Sequence, residues 1–79
     1  MTERIKKVLS AYLTENGRAE GIRLIAKASD RSISTVGRWI DRGFPDSHSA
    51  FITAVACGVE RKEALEIAQE CFPDSAKVG

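Results

Sequence analysis

The sequence predicts an all-α fold, a compact bundle of about five short helices. Three observations carry this. Apolar residues recur at helical spacing, no stretch sustains the alternation of a strand, and glycines, prolines and capping residues punctuate the chain at helix-length intervals. Seventy-nine residues can enclose one core and not two. A single domain is therefore expected over residues 1–73, followed by a frayed tail at 74–79.

The first helix is expected from about Thr2 to Asn16. Thr2 suits the N-cap, and Ile5, Val8, Leu9, Tyr12 and Leu13 form one apolar stripe before Gly17 stops the helix. The second runs from about Arg18 to Ser29, with Ile22, Ile25 and Ala26 inward and Leu24 and Ala28 widening the stripe. The third is expected from Ile33 to Arg42 behind the N-cap Ser32, and it ends at Gly43 and Pro45. The fourth spans about Ser47 to Cys57, capped by Asp46 or Ser47 and closed by Gly58, with Ala50, Phe51, Ala54 and Val55 inward. The fifth spans about Arg61 to Phe72, with Ala64, Leu65, Ile67 and Ala68 inward and Pro73 as its stop. Glu60 is a poor cap for it.

Composition narrows the function classes. Hydrophobic residues make up 43% of the chain, an ordinary share for a globular protein. No run of about 18 apolar residues exists to span a membrane. The N-terminal MTERIKKVLS begins with charges and lacks a signal-peptide core, so a cytoplasmic protein is expected. Cys57 and Cys71 read as reduced, half-buried thiols. His48 is the only histidine, and no CxxC or HxxxH spacing occurs, so no metal and no cofactor is expected. No Ser/His/Asp arrangement and no Gly-rich phosphate loop appears, and a bundle this small offers little concave volume for a small-molecule substrate. The chain is not expected to be an enzyme.

Net charge is +1 overall but divides unevenly. Residues 1–42 hold nine Lys/Arg against five Asp/Glu, and residues 43–79 hold three against six. A basic first half favours a polyanionic partner.

The stretch SDRSISTVGRWIDRG, Ser29 to Gly43, carries the functional signal. Only Asp30, Arg31 and Ser32 separate the second and third helices, and two helices joined so tightly can cross steeply. The crossing needs a small residue, for which Ala26 is placed. It also needs a branched apolar residue packing back, for which Val36 is placed, and a large one closing the core, Trp39. The turn needs a residue that tolerates left-handed φ, which Asp30 does less readily than glycine.

With these residues in view, IAKASDRSISTVGRWI resembles the helix-turn-helix of phage and bacterial repressors of the Cro, CI, CII and LacI types. Ile25, Ala26, Ser32, Thr35, Val36 and Trp39 match the pattern over about 20 residues. The following GFP and a further apolar helix extend a looser likeness along most of the chain. The turn departs from the family: Asp30 stands where glycine is usual, and Arg31 and Ser29 where apolar residues are usual. These departures imply a turn of different shape and a tilted recognition helix.

The resemblance implies a lambda-repressor-like fold and a sequence-specific DNA-binding transcription regulator, such as a phage or prophage repressor or Cro-like switch. The outward side of the third helix would enter the major groove. Ile33 would meet a thymine methyl, Ser34 and Thr35 would bond base edges or phosphates, Gly37 would add no bulk, and Arg38 would reach a guanine. Arg23, Lys27, Arg31, Ser32 and Arg42 would meet phosphates. Partners would be double-stranded operator DNA, a second copy of the chain and RNA polymerase, in the bacterial cytosol or nucleoid. The acidic half, through Phe51, Val55, Val59, Leu65, Ile67 and Phe72, would supply the dimer contact. Other readings stay open: an excisionase-type architectural factor, an antitoxin, or a protein-interaction helical domain in which Arg38 is a plain solvated charge. Arg4, Lys6 and Lys7 read as a solvated helix face.

Overall fold

The structure, a computed structural model, describes residues 2–73. The expected tail at 74–79 lies outside them. Five helices follow in order: α1 (Glu3–Asn16), α2 (Arg18–Ser29), α3 (Ile33–Arg42), α4 (Ser47–Ala56) and α5 (Arg61–Cys71). Among the described residues there is no strand, and no helix is long and apolar enough to cross a membrane.

Local chemistry explains the boundaries. A single residue, Gly17, joins α1 to α2 with φ +86°, a conformation that costs a side-chain-bearing residue strain. Ser32 caps α3 by accepting the Thr35 N–H at 3.1 Å. Asp46, not Ser47, caps α4, accepting the Ser49 N–H at 2.8 Å. That hydrogen bond holds the Asp46 carboxyl below its ordinary range. Glu60 makes no cap bond to α5. Thr2 occupies the N-cap position of α1, but its hydroxyl makes no cap bond and lies 3.7 Å from Cys71 Sγ at the far end of α5.

One hydrophobic cluster draws on all five helices: Ile5 and Leu9, Ile22, Ile25 and Ala26, Val36 and Trp39, Ala54, and Ala64 and Ile67. α4 packs along α5, while α2 sits between α1, α3 and α4. Cys57 and Cys71 are free and half-buried.

Four details differ from the sequence expectation. The inner face of α4 is Ser49, Ala50, Thr53 and Ala54, with Phe51 and Val55 only half-buried. Rotation about the helix by one residue lets the small alanines approach α2 and α5 closely. It also buries the Thr53 hydroxyl without a hydrogen-bond partner. Leu65 is 51% exposed, because the i, i+3, i+4 row of Ala64, Ile67 and Ala68 already fills the inner side of α5. Ile67 is fully buried in the core and is unavailable for a dimer contact. Ala28 is exposed instead of widening the stripe of α2.

Candidate nucleic-acid interface

The α2–turn–α3 unit is built around Asp30. Its φ of 57° and ψ of 45° are left-handed, and Arg31 and Asp30 donate their N–H groups to Ala26 O and Lys27 O at 2.9 and 3.4 Å. This is the Schellman closure that glycine usually makes at a helix end. Aspartate is one of the few side chains that enters this region with modest strain. The departure at Asp30 therefore leaves an ordinary left-handed turn. Ser29, where the repressor pattern is apolar, donates its hydroxyl to Ile25 O at 2.7 Å, so its polarity is satisfied within its own helix.

α3 leaves the turn with its orientation locked. Ala26, Val36 and Trp39 are all buried, and Trp39 lies against Phe44, ring centroids 6.0 Å apart. Phe44 thus folds the segment after α3 back onto the core. With this side anchored, the other side has to face solvent.

That outer side carries most of the residues singled out from sequence. Ile33 is 58% exposed at the first turn, and with Leu65 it is one of two large apolar side chains exposed among the described residues. Ser34 and Arg38 are exposed beside it. Gly37 is half-buried, and a Cβ built there would meet nothing within 4 Å. No neighbour in the fold therefore requires glycine at this position. Ser34, Gly37, Arg38, Asp41 and Arg42 line one shallow groove along the helix.

Thr35 is less exposed than Ser34. It is half-buried, and its Oγ1 accepts the Ser32 hydroxyl at 2.8 Å, so this side chain belongs to the cap. Ser32 is likewise engaged as the cap, although it stays exposed.

The cations divide into two groups. Lys27, Arg31, Arg38 and Arg42 are exposed and form no ion pair among the described residues. Arg23 is engaged by Glu20 one turn earlier on α2, Nε to Oε1 at 2.9 Å. The pairing raises the pKa of the guanidinium and lowers that of the carboxyl. Of the five residues expected at phosphates, Arg23 alone is held in an ion pair.

Two site residues were missed. Asp41 lies in the α3 groove, and its Oδ1 accepts from Arg18 at 2.7 Å. The spacing Ser34, Gly37, Arg38, Asp41 is i, i+3, i+4, i+7, which places Asp41 on the outer stripe. Arg18 had no such local signal, because it meets Asp41 only through the fold. Among the described residues no group of three or more His, Cys, Asp or Glu is placed to hold a metal ion. Comparison with family models, curated proteins and solved structures gives no match to this chain.

Proposed function

We propose that this chain is a sequence-specific DNA-binding transcription regulator of the phage-repressor kind. α2 and α3 act as its helix-turn-helix, and the outer face of α3 enters the major groove of operator DNA. The observation that carries the reading is the pairing of an exposed Ile33 with an unpaired Arg38 on a helix whose other side is locked by Val36 and Trp39. A short helix held rigidly with its first turns outward fits a groove about 12 Å wide. Ile33 gives contact with a thymine methyl, Ser34 bonds a base edge or a phosphate, and Arg38 donates to a guanine edge. Lys27, Arg31 and Arg42 neutralise phosphates around them. Gly37 keeps the helix thin where it meets the bases.

One such helix reads only a few base pairs, so the protein acts as a dimer or higher oligomer on a repeated or palindromic site. Bound there, it occludes a promoter or contacts RNA polymerase. Selection of binding sites from random duplexes tests this. The expected result is one enriched motif containing G and T, in two halves with centres about 34 Å apart or a multiple of it. A pool that stays random after repeated rounds contradicts the reading and favours a protein-interaction domain instead.

A further inference from the structure

The outer stripe of α1 has a symmetry that DNA contact does not use. Lys7, Ala11 and Glu15 follow at four-residue steps and are all exposed. Neither charge has an ion-pair partner among the described residues. Within one chain the two charges are eight residues apart, about 12 Å along the helix, too far to meet. Beside the stripe runs a groove floored by the half-buried Val8, Tyr12, Cys57 and Val59, with Glu15, Glu60 and Glu63 in its lining. Burial pushes the Cys57 thiol up to about 12, so it is uncharged at neutral pH.

We propose that α1 is a self-association surface on which two copies of this chain lie antiparallel about a two-fold axis at Ala11. Reversing the order Lys7, Ala11, Glu15 yields its own complement. In such a pair the Lys7 of each copy faces the Glu15 of the other, twice over. A two-fold contact requires this self-complementarity, in which residue i meets j and j meets i. The small side chain at Ala11 lets the two axes approach to about 8 Å. The exposed edges of Val8 and Tyr12 in the two copies then lie along the seam. A partner of different sequence would have to reproduce this charge order, which a second copy supplies by symmetry. The acidic side of α5 is a poorer candidate, because its carboxylates already converge on Arg4.

The inference concerns the free protein and does not depend on DNA binding. Its test is sedimentation velocity without DNA on the wild type, on Lys7→Glu, on Glu15→Lys, and on an equimolar mixture of the two variants. The wild type is expected to dimerise at concentrations up to about 200 µM, and each variant alone to do so at least about tenfold more weakly. The mixture is expected to restore a dimer, because one copy then carries two acids and the other two bases at the facing positions. Ala11→Gln, which fills the crossing point with a good helix former, should also weaken the dimer while keeping the wild-type circular dichroism. A wild type that stays monomeric throughout this range overturns the proposal. So do variants that associate as well as the wild type, or a mixture of folded variants that stays monomeric.

Discussion

α5 and α3 handle charge in opposite ways. On α5, Glu63, Glu66 and Glu70 converge on the single guanidinium of Arg4, at 3.0, 3.4 and 2.9 Å. These contacts raise an already high pKa, with the hydrogen bond that Arg4 donates to Glu63 as the largest cause. Around α3, four cations stand exposed and form no ion pair among the described residues. The first arrangement joins the beginning of the chain to its last helix. The second joins nothing within the fold, and like charges gathered without partners repel one another. The contrast separates charge paired across the fold from charge that the fold leaves unpaired, which the proposed DNA contact would use.

Removing the anchor of α3 should break the comparison with the largest effect. Trp39→Ala empties a buried site and should cost about 3–5 kcal/mol, close to the whole stability of a small domain. Urea unfolding measures it, with the half-exposed Leu65→Ala as a control expected to cost about 0.5 kcal/mol or less. Equal losses at the two positions would mean that α3 is not locked as described.

The cap of α4 gives a smaller effect with a pH signature. Asp46→Ala should cost about 1 kcal/mol at pH 7. The folded carboxyl titrates below its unfolded value, so its contribution is fully present above about pH 4 and is lost as the pH falls through the lower folded value. Chemical denaturation at a series of pH values should show wild type and variant converging on the acid side. A constant gap would contradict the assignment.

Gly37 separates folding from recognition. Gly37→Ala meets no neighbour in the fold and should stabilise α3 by about 0.5–1 kcal/mol. The same methyl group stands in the groove-facing stripe and should weaken DNA binding. A variant that gains stability and keeps full affinity would place the bases elsewhere.

Arg4→Ala should have the smallest effect. It leaves three acids facing one another, so the thermal midpoint should drop at low salt, and the drop should shrink at about 0.5 M salt as the repulsion is screened. No change at low salt would show that the Arg4 cluster holds nothing together.

Most of the helix boundaries were legible in the sequence because local chemistry sets them. Gly17, Ser32 and Gly43 act on their own neighbours, and the apolar stripes of α1 and α3 have one solution each. The inner face of α4 was harder to read. Ala50 and Ala54 belong equally to a stripe with Phe51 and Val55 and to one with Ser49 and Thr53. Close approach to α2 and α5 selects the smaller residues, which only the assembled fold reveals. At the candidate site, Ile33, Ser34, Gly37 and Arg38 could be placed on the outer face from spacing alone. The engagement of Thr35 by its own cap, of Arg23 by Glu20 and of Asp41 by Arg18 depends on side-chain geometry. The Arg4 cluster joins residues about sixty positions apart, which no helical period connects.

The central claim is that Arg38 reads a base from the outer face of α3. The most direct measurement is a cycle of four affinities: wild type and Arg38→Ala, each on the selected site and on a site with the guanine facing Arg38 replaced. The wild type should lose about 1–3 kcal/mol on the altered site, and Arg38→Ala should lose almost nothing further. Equal discrimination by the two proteins would contradict the claim.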